Sequence, residues 1–484
     1  GLASIVMHTT DSILNFNDGT TRDLDMVVTG TTDGFGTINV IDTAGGAAAA
    51  QVTSGGFIGA ADIHIGTINI GSATAAGALT TLNGDEIHVD TLNIIGGDAT
   101  TENSILIAAE HVIANTGIVL TAADAGDAEL NISTAATITG DITVSGVDGN
   151  GDTIIDVDNA TTFVGSIGDS TASVEIMTVA TGTATLKGAT NAIESLAITG
   201  DGITVDFLGT VAQTFTGAIT TATDDHAVVT NSNVTETVTF TGLIGAEDAR
   251  MKEITLADNT DTTFNSAVSA LDLDINTAAA DDVTTFAVGG HVIGDNGTLG
   301  GALDVAGGTF VLGTAIVDGV TVFDTKEVVA TDAGVELRAL VIQPSANFTS
   351  GTVTFIDGAT AASVDADDVS GVSITDTALT DFTVNITAAV ADVTITAAAK
   401  SGATTGTALG VTTNEGTAIH QLMASAIASD ATVLTALNDN LTSVNGGTLS
   451  VATDLAKQTA PQTDTIGGSA VATRAMTGTV QGIV

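Results

Sequence analysis

The sequence predicts an all-β chain wound as a right-handed parallel β-solenoid of roughly 24-residue coils, ending in a short helical C-terminal segment. Three observations carry that expectation. Short runs of Val, Ile, Leu and Thr alternate apolar with small polar residues and are punctuated by Gly, Asp and Asn, which is the pattern of half-buried strands. The run Ile63-His-Ile-Gly-Thr-Ile-Asn-Ile70 returns as Ile87-His-Val-Asp-Thr-Leu-Asn-Ile94, an offset of 87 − 63 = 24. The dipeptide Thr-Phe recurs with Phe215, Phe240, Phe264, Phe286 and Phe310 at spacings of 25, 24, 22 and 24. A fixed period of this size marks a solenoid, in which equivalent side chains of successive coils stack into ladders.

Along the chain, runs such as Gly36-Thr-Ile-Asn-Val40 and Asp141-Ile-Thr-Val-Ser145 supply the strands. A looser echo of the first repeat places His111 23 residues after His88. Phe163 stands 52 residues before Phe215, about two periods, and Phe355 stands 45 after Phe310. The Phe ladder is expected in the core. A string of immunoglobulin-like sandwiches would need units of about 100 residues and a core Trp or corner Tyr; the chain has no Trp or Tyr. The solenoid is expected over 1–414. Over 415–484 the pattern turns helical: Ile419, Leu422, Met423 and Ala426 fall at helical spacing, Asp430 suits an N-cap, and Asn445-Gly446-Gly447 suits a helix stop.

Composition bounds the setting. The 484 residues carry 9 Lys and Arg against 57 Asp and Glu, a net charge of −48, yet 44 % are hydrophobic and the mean hydropathy is +0.42. Such a chain can bury a core, while its charge repels phosphate and makes nucleic acid and anionic membranes poor partners. With no Cys there is no disulfide framework, thiol catalysis or Cys-ligated metal. No stretch reaches the length of a transmembrane helix. The chain opens Gly1-Leu2-Ala3 without an initiator Met or a signal-like apolar run, so the expectation is a processed or internal start. The cysteine-free, acidic composition suits an extracellular bacterial setting.

The Ala-rich stretch Ile419 to Asn440, the segment Gln458-Thr-Ala-Pro-Gln462 and the run Gly467-Gly-Ser-Ala-Val-Ala-Thr-Arg474 resemble the segment that joins passenger to translocator in type V bacterial autotransporters. The likeness is greatest to those of alphaproteobacterial and rickettsial surface proteins. The resemblance covers about 65 of 484 residues. It implies a β-solenoid passenger at the cell surface, with the 415–484 segment leading to a translocator barrel that this chain does not contain. The body is also similar in style to the solenoid regions of Gram-negative surface-layer proteins, as in Ile193-Glu-Ser-Leu-Ala-Ile-Thr-Gly200, although the Gly-Gly-x-Gly-x-Asp calcium repeat of many such proteins is absent.

For chemistry, Asp148, Asn150, Asp152, Asp156 and Asp158 place oxygen ligands at alternate positions, like the first half of a calcium loop. Thr153 replaces the expected Gly, and Asn159 stands where a bidentate Glu would close the site, so an Asx-rich turn is the competing reading. Further acidic clusters are Asp224-Asp225, Asp272/Asp274 with Asp281-Asp282, and Asp365/Asp367-Asp368. With −48 to neutralise, bound divalent cations or salt screening are both expected. His64, His88 and His111 fall on roughly one register, where stacked imidazoles bind zinc, form a pH-sensitive seam or simply face solvent. No Walker loop, His-Glu-x-x-His or Gly-x-Ser-x-Gly motif is present. Together these readings favour a non-enzymatic, extracellular structural protein whose partners are copies of itself, forming a surface layer or filament. The alternatives are a monomeric adhesin, which contacts other cells, and a solenoid glycan-active enzyme.

Overall fold

The computed structural model describes residues 4–16, 21–24, 27–41, 50–54, 56–73, 78–82, 86–97, 104–108, 111–122, 126–145, 151–276, 282–294, 303–325, 335–337, 340–345, 348–358, 371–377, 380–387, 392–409, 413 and 417. The expected helices beyond Ile419 lie outside these residues. The chain forms a parallel β-solenoid in which each coil contributes short strands to three columns.

The alternation read from the sequence is realised directly. Strands such as Thr183–Leu186, Thr204–Phe207 and Val228–Asn231 bury every second residue and turn the intervening one outward. In the first column Ile138, Phe163, Leu186, Phe207, Asn231 and Leu256 are successive register partners, at offsets of 25, 23, 21, 24 and 25 residues. The second column stacks Ile118, Ile142, Ile167, Asn191, Phe215, Phe240, Phe264 and Phe286. The third runs through Leu130, Ile155, Met177, Leu196 and Ile219 to Ile244 and Val268. These three ladders converge on a single core of aliphatic side chains and Phe.

The Phe ladder is interior, as expected: Phe215, Phe240, Phe264, Phe286 and Phe310 are all fully buried. Two details differ from the spacing argument. Phe163 belongs to the first column, with Phe207 two coils on, and not to the column of Phe215. Phe310 is two residues out of step, because Leu312 takes the rung beside Phe286. A period locates a residue along the coil only to within the variation in turn length, so two multiples of about 24 can end in different columns.

Two polar positions enter the core ladders. Asn231 donates through Nδ2 to Thr262 Oγ1 at 2.8 Å, and its Oδ1 accepts from the Asn233 amide at 2.9 Å, so it is buried without losing its hydrogen bonds. Asn191 donates to the Gly188 carbonyl. On the outer face an asparagine ladder joins the first coils: Asn39 donates to Asn15, Asn69 to Asn39 and Asn93 to Asn69, at 2.7–2.8 Å.

The two ends differ. Strands Ser4–Met7, Ile13–Phe16 and Thr21–Leu24 form the first coil, and each pairs on one side only among the described residues. At the other end the winding turns antiparallel. Asp392–Ala399 pairs antiparallel with both Gly351–Gly358 and Thr380–Thr387. Lys400 follows, nearly buried between Asp381 (3.4 Å) and Asp376 (3.9 Å), and a helix covers Gly402–Leu409. Among the described residues no helix is long and apolar enough to cross a membrane.

Candidate metal centre

Of the calcium candidates, Asp148 and Asn150 lie outside the described residues. Asp152, Asp156 and Asp158 flank and occupy the strand Thr153–Val157. An extended strand rises about 3.3 Å per residue, so Asp152 and Asp158 stand roughly 20 Å apart along it and do not converge. Asp156 and Asp158 do come together. Asn131 Nδ2, on the preceding coil, donates to Oδ2 of each at 3.3 and 3.4 Å. Glu129 lies beside them. Partial burial, then the charge of Asp156, pushes its carboxyl above the usual range; burial, then Asp158, does the same to Asp156. The Asp127 carboxylate is used differently, accepting the Asp152 backbone amide at 2.8 Å.

A second acidic seam runs on the outward face of the first column. Asp272 and Asp274 lie beside Glu253 and Thr255 of the preceding coil, and Asp304 pairs with Asp274 from the next. Burial, reinforced by Glu253, Asp272 and Asp304, pushes the Asp274 carboxyl up to about 6. The expected pair Asp224-Asp225 divides its roles: Asp224 holds Arg250 in a two-point ion pair, while Asp225 sits in a turn at φ 65°. Asp282 is buried; Asp281, Asp365, Asp367 and Asp368 lie outside the described residues.

The histidine register holds for two of three residues. Ile65 pairs with Val89, which sets His64 beside His88, and their ring centroids are 5.6 Å apart. His111 is not on that rung: His88 pairs with Ile113, two residues further along. His88 is buried, with Nε2 3.0 Å from Glu86 Oε2 and Nδ1 without a hydrogen-bond partner among the described residues.

His64 gathers a set of ligands that spacing did not reveal. Asp33, His64 and Asp90 bring one imidazole nitrogen and two carboxylate oxygens within 4.8 Å of one another. It is the one such group of three found among the described residues. The three residues come from three consecutive coils. Asp33 lies in the turn before Thr37–Val40, His64 immediately precedes Ile65–Ile70, and Asp90 lies within Ile87–Ile95. Asp33 Oδ1 accepts the His64 backbone amide at 2.8 Å and lies 2.8 Å from His64 Nδ1. Those two hydrogen bonds, the backbone one first, hold the Asp33 carboxyl below its ordinary range, so it is ionised. The His64 side chain is 12 % exposed and that of Asp33 is 55 % exposed, so the cluster opens to solvent on the Asp33 side.

Glycine makes the cluster possible. Gly66 is flanked by the register pairs Ile65–Val89 and Thr67–Thr91 and therefore faces Asp90. A Cβ at Gly66 would lie 2.5 Å from the Gly34 carbonyl, and one at Gly34 would lie 2.8 Å from Asp90 Oδ2. The Asp90 carboxylate thus reaches across a coil that has no side chain at the intervening position. The signal was present in the repeat: His-Ile-Gly66 and His-Val-Asp90 match except at the one position where a missing side chain admits a carboxylate.

Comparisons of this chain with protein-family models, curated proteins and solved structures found no match.

Proposed function

We propose that this chain is an extracellular structural protein, exported in the manner of an autotransporter passenger, that assembles with copies of itself into a surface layer or filament. The observation that carries the reading is the open first coil. Three parallel strands there offer unpaired edges among the described residues, and Val6 and Ile13 are exposed at 41 % and 59 %. An uncovered edge of this kind is a template for further strand pairing. The asparagine ladder runs to that edge and ends on exposed Asn15, so one more coil in register would extend it. The acidic faces near Glu129 and Asp274 restrain lateral packing until cations or salt screen them. Calcium is the ion proposed there, between molecules.

A second reading, a monomeric adhesin, draws on Leu208, Val211 and Val234. These exposed apolar residues lie at one corner of adjacent coils, where Asn233 donates to the Val211 carbonyl.

The test is light scattering and electron microscopy of the purified chain over a range of concentrations, with calcium and with EDTA. The expected result is concentration-dependent end-on association that the Val6→Lys/Ile13→Lys double variant abolishes with unchanged circular dichroism. Monodisperse particles at every concentration, in either condition, would overturn the assembly reading.

A further inference from the structure

We propose that Asp33, His64 and Asp90 form a binding site for one first-row divalent transition ion of the zinc class, bridging three consecutive coils near the open end of the solenoid. The site is independent of the calcium invoked for packing between molecules.

The donor set is the first argument. One imidazole nitrogen and two carboxylate oxygens suit zinc and its neighbours, whereas calcium and magnesium prefer all-oxygen shells. Three protein ligands leave a fourth tetrahedral position for water, and the exposed Asp33 side of the cluster gives access to it. Ligands about 2.1 Å from a tetrahedral ion stand roughly 3.4 Å apart. The three donors already lie within 4.8 Å, so modest side-chain rotation brings them to that spacing.

Charge is the second. Two carboxylates meet beside one imidazole, and among the described residues no Lys or Arg pairs with either of them. A divalent ion balances the two negative charges. Asp33 meets the ion ionised, and its hydrogen bond to the His64 amide fixes the turn that carries it.

Construction is the third. The ligands are 31 and 26 residues apart in sequence and converge only because Gly66 vacates the intervening coil and Gly34 accepts the Asp90 carboxylate against its backbone. Beside the cluster, His88 keeps a buried Nδ1 with no partner and packs its ring 5.6 Å from that of His64. Solenoid coils otherwise communicate only with their neighbours. An ion held by Asp33 and Asp90 would tie the first of three coils to the third.

The experiment titrates the full chain with Co²⁺ and with Zn²⁺ at about 0.15 M salt, in excess Ca²⁺ and Mg²⁺ so that surface carboxylates are saturated. The expected result is one equivalent of Co²⁺ with the visible absorption of a tetrahedral nitrogen-oxygen site, displaced by one equivalent of Zn²⁺. Asp90→Asn, close in shape, and His64→Gln should each weaken binding by more than about tenfold, while Asp272→Asn on the distant seam leaves it unchanged. Zinc should also raise the melting temperature of the parent chain and not that of Asp90→Asn. Absence of a stoichiometric site, full competition by Ca²⁺, or equal affinity in folded Asp90→Asn would each overturn the proposal. If His64→Gln fails to fold, Asp90→Asn decides alone.

Discussion

Phe286 and Phe310 touch across adjacent coils with ring centroids 5.1 Å apart, although their backbones are not partners. Phe286 pairs with Leu312, and Phe310 lies beside Thr284. The aromatic column therefore changes character at this coil. Phe240, Phe264 and Phe286 stack nearly parallel, at 5.4 and 5.5 Å with interplanar angles of 12° and 19°. Beyond Phe286 the contacts turn edge-on, to Phe310, Phe323 and His291. The two-residue slip keeps an aromatic ring in contact while the coil changes length.

Phe264 stands in the middle of the parallel stack, fully buried with a ring on each side. Phe264→Ala should cost about 3–5 kcal/mol, the usual range for a buried aromatic truncated to Ala. Phe264→Leu, which keeps most of the volume, should cost roughly 1 kcal/mol. Urea unfolding measures both. Because solenoid stability is distributed coil by coil, hydrogen exchange should accelerate most at Thr239–Phe240 and Thr285–Phe286. Uniform loss of protection along the chain would contradict that locality.

Gly217 separates the two halves of the strand Gln213–Thr221 at φ 111°, where a Cβ would lie 1.7 Å from the Ile193 carbonyl oxygen. Gly202 also has positive φ, 66°, but nothing lies within 4 Å of its missing Cβ. Gly202→Ala should therefore cost only the backbone term, about 1–2 kcal/mol. Gly217→Ala combines strain of about 1–3 kcal/mol with a backbone collision and should cost clearly more. Comparable denaturation midpoints for the two variants would show that the coil yields at Gly217.

The sequence showed the winding because stacking forces like residues into like positions. Phe215, Phe240 and Phe264 repeat as they do because they are consecutive rungs. Which column a residue joins is set by turn lengths that vary from coil to coil, and this is why Phe163 was placed with Phe215 instead of Phe207. His111 was misplaced for a related reason. The bulge between Ala114 and Gly117 alters the count within one coil, and the match to His88 falls on Ile113. The asparagine ladder was legible and passed over: Leu14-Asn15-Phe16, Ile38-Asn39-Val40, Ile68-Asn69-Ile70 and Leu92-Asn93-Ile94 share one pattern. Asp33 and Asp90 were harder to associate, because their contact depends on an absent side chain, and pattern reading looks for residues that are present. The calcium motif had ligand spacing, but Thr153–Val157 is extended where a calcium loop must curl.

Arg250 and Asp224 offer an asymmetric test. Arg250 is buried, pairs with Asp224 through Nε and Nη2, and donates through Nη1 to the Gly294 carbonyl. Asp224 also accepts the Arg250 backbone amide at 2.8 Å. Removing the acid strands a buried guanidinium and an amide, so Asp224→Ala should cost about 3 kcal/mol or more. Removing the base leaves a carboxylate that can rehydrate, since Asp224 is 31 % exposed. Arg250→Met, which also fills the space, should cost about 1–2 kcal/mol. Urea titrations at neutral pH rank the two; a larger loss for Arg250→Met would mean that the Gly294 contact outweighs the ion pair.

Asp274 sets the sign of a pH effect. Its carboxyl is raised in the folded chain from an ordinary 3.8 to about 6, by burial first and then by Glu253, Asp272 and Asp304. Between these values the folded state holds a proton that the unfolded state has released, so stability falls as pH rises from about 4 to about 6. Above that window the folded chain carries the full cost of the charged, half-buried group. Asp274→Asn should remove it, gaining about 1 kcal/mol at pH 7 once solvent screening is allowed for. Glu129 and Asp156, also raised, act in the same direction, whereas Asp224, held low by Arg250, contributes stability that is lost only in more acidic solution. Urea midpoints measured across pH 4–7 should therefore slope downward for the parent chain and less steeply for Asp274→Asn. Parallel slopes would mean that Asp274 titrates as an ordinary surface carboxylate and that the seam does not hold a proton.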